Sequence, residues 1–164
     1  MSGSGAPQAV IPKVADAQIA IVAGLWHEEI MAGLIAGAQR ACDEAGVKHV
    51  LIRVPGAFEL PLVAANYAAN HDAVVALGVI IRGGTPHFDY VCQAATNGLT
   101  RVALDSGTPV GFGLLTCDDE EQALARAGLP DSIEDKGREA ASAALSTLVL
   151  LRAAAAPRDG LGFA

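Results

Sequence analysis

AVVALGVII, residues 73–81, is an unbroken apolar run rich in Val and Ile, set between His71-Asp72 and Arg82-Gly83-Gly84. A run this short cannot cross a bilayer, and its β-branched content and flanks favour a strand over a helix. No polar residue alternates with the apolar ones, so the strand is expected to be buried on both faces. QIAIVAG, residues 18–24, is a similar apolar run, Val47–Val54 is a second strand, and Pro109–Thr116 supplies a fourth. Helical spacing separates them. In His27–Ala45, Ile30, Leu34, Ala38 and Ala41 share one face, and Gly46 follows as a terminating glycine. PGAFELP, residues 55–61, turns into a helix ending near Asn70. Further helices span about His87–Ser106, about Asp118–Ala127 with Asp118 as its cap, and about Glu134–Ala154, which carries Ala141, Leu145, Leu148 and Arg152 along one side. Apolar strands alternating with helices predict an α/β fold, a three-layer αβα sandwich on a four-stranded parallel sheet with right-handed crossovers. Residues 1–15 read as a flexible arm with a short strand near Ala9–Ile11, residues 16–155 as one domain, and residues 156–164 as a disordered tail.

Composition narrows the function. The 164 residues are 52% hydrophobic and 18% charged, with a formal charge of −7. That apolar surplus in a small domain favours association with further copies. No cluster of Lys and Arg offers a nucleic-acid surface, and no apolar run is long enough to span a membrane. MSGSGAPQAV, residues 1–10, lacks the basic-then-apolar order of a signal peptide. Cys42, Cys92 and Cys117 are odd in number and in no metal-binding pattern. They are expected to be free, buried or half-buried thiols in a cytoplasmic protein.

In a doubly wound sheet, ligands bind beyond the carboxyl ends of the strands. Those positions hold the residues able to do chemistry. Trp26 follows the first strand and is either a flat platform for a ring or an apolar plug. Glu59, in the PGAFE turn, is either a helix-start carboxylate or an acceptor for ligand hydroxyls. RGGTPHFDY, residues 82–90, follows the third strand and leads into a helix. Gly83 and Gly84 let the backbone approach a ligand, Thr85 adds a hydroxyl, and N–H groups at a helix start attract anions. The stretch is neither a Walker sequence nor GxGxxG. His87 stands beside the expected anion, and an imidazole with an ordinary pKa of ~6.5 exchanges protons near neutrality. Arg82 suits an ion pair that supports the structure. Arg126 is either a helix-end charge or a fork for phosphate, and Lys136 has the same two readings. His27, His49 and His71 are expected at the surface or at caps.

Five segments in this order, PGAFELP, ALGVIIRGGTPHFDYV, PVGFGLLT, EEQALARAG and EDKG, closely resemble the lumazine synthase family, and the resemblance runs from about Gln18 to Arg152. It implies a flavodoxin-like sandwich and one reaction. 5-Amino-6-(D-ribitylamino)uracil condenses with 3,4-dihydroxy-2-butanone 4-phosphate to give 6,7-dimethyl-8-ribityllumazine, phosphate and water, without a metal or organic cofactor. It also implies roles. Trp26 matches the ring stacked on the pyrimidine, where the family more often has Phe. Ala57, Phe58 and Glu59 match the segment that holds the ribityl chain. Val79, Ile80 and Ile81 match the strand end that reads the uracil edge. Gly84 and Thr85 match the phosphate loop, with Arg126 as its bidentate partner and Lys136 nearby. His87 matches the proton donor and acceptor, and Phe112 a ring contributed from the adjacent subunit. Family sites lie between subunits of a homopentamer, and in some members twelve pentamers form a shell. The Gly128–Lys136 linker is longer than in shell-forming members, which favours a free pentamer. A catalytically silent flavin or lumazine binder and a structural shell protein are the competing readings. The intact His87, Arg126 and Glu59 disfavour both.

Overall fold

The computed structural model describes residues 10–155. Residues 1–9 of the expected arm and the expected tail, 156–164, lie outside the described residues. The chain runs β1 (Gln18–Gly24), α1 (Glu28–Ala45), β2 (Lys48–Val54), a 3-10 turn (Ala57–Glu59), α2 (Leu60–Ala68), β3 (Ala73–Ile81), α3 (His87–Ser106), β4 (Val110–Cys117), α4 (Glu120–Leu124) and α5 (Lys136–Ala155). The four strands form one parallel sheet in the order β2-β1-β3-β4. Helices cover both faces, so the expected three-layer α/β sandwich is what forms.

The sheet divides the core. On one side, α1 and α5 bury Ile30, Met31, Leu34 and Leu145 against Ile19, Ile21, Val75 and Leu77. On the other, α2 and α3 bury Leu60 and Leu99 against Val22, Val74 and Leu114. Each such side chain contributes on the order of 1.5–3 kcal/mol. Gly46 ends α1 in the left-handed region (φ 78°), and its N–H bonds the carbonyls of Asp43 and Cys42. A side chain would be strained there, as its expected terminating role requires.

Several local expectations shift. β2 is an edge strand, and its Val50 and Leu51 are 41% and 37% exposed, so within one chain it is not covered on both faces. Val10 and Ile11 form no strand; the segment is held by Val14 N–H to the Ala45 carbonyl and by Ser142 Oγ to the Val10 carbonyl. α4 is capped by Asp119, whose Oδ1 accepts the Gln122 N–H at 2.8 Å. Asp118 is instead taken by Arg82 Nε, also at 2.8 Å. α5 starts at Lys136 rather than Glu134 because Asp135 pairs with Ala127 in an antiparallel bridge and then caps the helix, accepting the Arg138 N–H. At the far end, Arg152 binds Asp72 and the Ala15 and Asp16 carbonyls.

Candidate active site

Strand order locates the site. The chain leaves β1 toward β2 and leaves β3 toward β4, in opposite directions along the sheet. The crevice between the two carboxyl ends is the switch point where such sheets bind ligands. β3 outruns its neighbour there. Its pairing with β1 ends at Ala23–Leu77, whereas its pairing with β4 continues to Ile81–Cys117. Val79 and Ile81 therefore present backbone N–H and C=O groups on the β1 side with no strand opposite them, a short edge able to bond a planar partner, whereas Ile80 between them turns its backbone groups to β4.

The PGAFE turn closes one side of this crevice. Ala57 packs beside Gly78, just before the open edge. A Cβ on Gly56 would lie 3.2 Å from Glu59 Oε2 and 3.6 Å from Trp26 Nε1, so the turn, the carboxylate and the indole meet at one corner. Trp26 is 69% exposed and Phe58 64%. Trp26 is thus no apolar plug within this chain; its ring face is open. Glu59 lies in the 3-10 turn and makes no ion pair or hydrogen bond among the described residues.

The glycine loop closes the other side. Arg82 anchors it: its N–H bonds the Cys117 carbonyl, its side chain reaches Asp118 and, at 3.3 Å, Asp89, and its guanidinium sits 4.1 Å over the Phe88 ring. The expected structural ion pair is present. Gly83 and Gly84 take no left-handed φ, and a Cβ on either would meet nothing within 4 Å. Their contribution is empty space beside the backbone. The N–H groups of Gly84, Thr85, His87 and Phe88 have no hydrogen-bond partner among the described residues. Together with the start of α3 they form an anion-attracting cluster.

His87 opens α3 and faces Phe58 and Glu59 across an open groove of about 670 Å³. Tyr90, Ala94 and Asn97 continue its wall. Those three were not singled out from sequence, although their spacing from His87, about one helical turn each, is a legible signal.

The structure does not bring every expected residue to this crevice. Phe112 faces Ala76 in the middle of the sheet and is 46% exposed. At ~3.3 Å per residue it sits roughly 16 Å from the strand end at Cys117. Arg126 and Lys136 lie beyond α4. Arg126 Nη1 donates to the Gln122 carbonyl at 2.8 Å, and Lys136 pairs with Glu139 at 2.7 Å and Glu134 at 3.2 Å. Burial alone would lower the Lys136 pKa, but Glu139 and Glu134 outweigh it and hold the ammonium above its ordinary value. His49 lies 3.7 Å from Asp43, His71 contacts the Tyr67 carbonyl, and His27 precedes α1 in a left-handed conformation without a side-chain cap. Cys42 and Cys117 are buried and Cys92 half-buried, all as free thiols. Among the described residues, no group of His, Cys, Asp and Glu is arranged to hold a metal ion.

The family model for 6,7-dimethyl-8-ribityllumazine synthase matches residues 16–152. A protein of that name from Clavibacter sepedonicus is 64% identical, covering 93% of this chain and 98% of its own length. Similar matches come from Frankia casuarinae, at 62% over 93% and 96%, and Streptomyces avermitilis, at 56% over 96% and 99%. With the match spanning the sheet, both walls of the crevice and the α4–α5 connection, the chain belongs to the 6,7-dimethyl-8-ribityllumazine synthase family.

Proposed function

We propose that the chain is a transferase of riboflavin biosynthesis acting at the penultimate step, the condensation of 5-amino-6-(D-ribitylamino)uracil with 3,4-dihydroxy-2-butanone 4-phosphate. The observation that carries this reading is the meeting, at one switch point, of an open backbone edge, an exposed indole, a carboxylate, an unencumbered anion loop and His87. Each suits one part of the reactants. Trp26 stacks on the pyrimidine, while the strand end Val79–Ile81 bonds its edge through the backbone of Val79 and Ile81. Glu59, as an acceptor, takes ribityl hydroxyls beside Ala57 and Phe58. Gly84 and Thr85 hold the phosphate through N–H and hydroxyl donors.

The chemistry then needs proximity and proton transfer. The uracil's 5-amino group attacks the ketone, and loss of water gives a Schiff base. Elimination of phosphate and ring closure with loss of a second water complete the lumazine. His87, at the junction of the phosphate loop and the groove, is placed to take and return these protons. Holding both reactants together supplies much of the remaining acceleration.

Arg126 and Lys136 serve the phosphate, and Phe112 completes a neighbour's site rather than its own. The distance of Phe112 from its own crevice supports this, as do the exposed Val50 and Leu51 of β2. A homopentamer with sites between subunits accommodates both, and the long Gly128–Lys136 linker favours a free pentamer over a shell. The free thiols suit the cytoplasm. Among the described residues no helix is long and apolar enough to cross a membrane.

The test is turnover with the two reactants, followed by lumazine absorbance and phosphate release, beside a mass measurement of the assembly. Absence of product refutes the assignment, and a megadalton particle refutes the free pentamer. Arg126→Ala is expected to raise the KM for the phosphate reactant with a small effect on kcat; an unchanged KM removes Arg126 from the phosphate site.

A further inference from the structure

The connection between α4 and α5 contains a carboxylate, Glu134, with one buried oxygen and no role in the steps proposed for the reaction. Main-chain bonds build its frame. Ala127 pairs with Asp135, the Lys136 N–H bonds the Arg126 carbonyl, the Gly128 N–H bonds the Glu134 carbonyl, and the Glu134 N–H bonds the Ala125 carbonyl. In this short antiparallel ladder, alternate residues face opposite ways. Asp135 points to α1, where it binds Arg40 and abuts Gly37. Glu134 and Lys136 point the other way, as does Arg126.

Glu134 Oε2 is buried and forms no well-made hydrogen bond, yet it lies 3.2 Å from Lys136 Nζ and 3.7 Å from Arg126 Nε. A buried carboxylate oxygen in that state is costly unless charge compensates it. Here two cations do, and the relation is mutual, because the like charges of Arg126 and Lys136 would otherwise repel. Arg126 Nη1 is already fixed by the Gln122 carbonyl. With Nε turned to Glu134, the guanidinium keeps its Nη2 edge without a partner among the described residues. Those N–H groups remain as donors for an anion.

We infer that Glu134 is a positioning residue for the reaction: it holds the Arg126 guanidinium and the Lys136 ammonium side by side in the arrangement that receives the phosphate of the second reactant. The inference rests on the reading that Arg126 and Lys136 serve the phosphate site. Glu134 itself touches no reactant. It orients two donors before the anion arrives, so its loss falls on phosphate binding and spares the proton transfers at His87.

The experiment compares Glu134→Gln, Glu134→Asp and Arg126→Ala in the assembled enzyme, with steady-state kinetics for each reactant and inorganic phosphate as a competitive inhibitor. Glu134→Gln is expected to raise the KM for the phosphate reactant and the inhibition constant of phosphate together by roughly tenfold, the scale of one displaced charge-assisted hydrogen bond. kcat and the KM for the ribitylaminouracil should stay within about threefold on the same reasoning, because positioning lost at the phosphate is lost in binding. Glu134→Asp keeps the charge on a shorter stem and should show a smaller rise in the same two constants. A purely structural ion pair would lower the melting temperature without this selectivity. The inference is overturned if Glu134→Gln leaves both phosphate constants unchanged or lowers them while Arg126→Ala raises them. If Arg126→Ala is also without effect, the phosphate-site reading falls and takes the inference with it. Should Glu134→Gln fail to assemble, unchanged phosphate constants in Glu134→Asp overturn the inference equally.

Discussion

Gly137→Ala sets two opposed effects against each other, and the structure decides between them. Position 137 lies in the first turn of α5, where alanine is the better helix former by up to about 1 kcal/mol. Yet α5 crosses α1 so closely there that a Cβ would lie 2.7 Å from the Leu34 carbonyl carbon and 2.8 Å from its Cα, and closer still to the oxygen. Carbon atoms pack comfortably at ~3.5–4.0 Å, so the helices must part by roughly 1 Å. The obstacle is backbone and cannot rotate away. Overpacking of this kind costs about 1–3 kcal/mol. The net effect is a loss of about 1–2 kcal/mol, a fall in melting temperature of roughly 3–8 °C for a domain of this size. Thermal melts of both proteins at one concentration and scan rate test it, with Thr147→Ala as the control. Thr147 is exposed in the same helix, and its replacement gains helix propensity without a clash. The movement also carries Lys136, so the KM for the phosphate reactant should rise with the loss of stability. A melting temperature for Gly137→Ala equal to or above the parent would refute the close-packing argument.

His87→Ala should lower kcat by at least about 100-fold without abolishing turnover, because positioning survives the loss of the proton carrier; complete loss of product would mean that His87 does more than move protons. His87→Ala and Phe112→Ala are expected to complement one another when unfolded together and reassembled. Mixed interfaces then pair an intact His87 with an intact Phe112, and activity above that of either variant alone is the predicted reading. No recovery would place both residues in the same subunit's site. Burial pushes the Cys42 thiol up to about 12, aided by Asp43. An acid whose folded pKa is raised stabilises the fold fully below its unfolded value, near 9.0, and loses that contribution as pH climbs toward 12. The stability deficit of Cys42→Ala should therefore shrink between pH 9 and 11 on this account, and a deficit constant across that range would contradict it.

What the chain discloses by itself follows from how each feature is encoded. Strand β3 is legible to the residue because burial on both faces leaves no polar interruption between Asp72 and Arg82. Gly46 and the start of α3 are equally plain, since left-handed termination and a Gly-Gly-Thr-Pro turn tolerate few other residues. The cap of α4 is misread because Asp118 and Asp119 are chemically identical in sequence, and only the claim of Arg82 on Asp118 separates them. The open side of β2 is only partly legible, for a different reason. KHVLIRV carries Lys48, His49 and Arg53 among its apolar residues, a mixed pattern that fits an exposed strand, but its place at the edge is settled only by strand order. The site divides in the same way. Trp26, Glu59 and His87 fall at strand ends, where the topological rule looks first. Glu134 lies well past the last strand in sequence, inside EDKG, where its residue type alone suggests only a helix start. Its position between Arg126 and Lys136 arises from the Ala127–Asp135 bridge, a pairing between two halves of one loop. Such pairings are set by the backbone bonds around them rather than by any motif. The family resemblance therefore covers Glu134, within EDKG, along with Arg126 and Lys136, but only the fold shows that the carboxylate lies between the two cations.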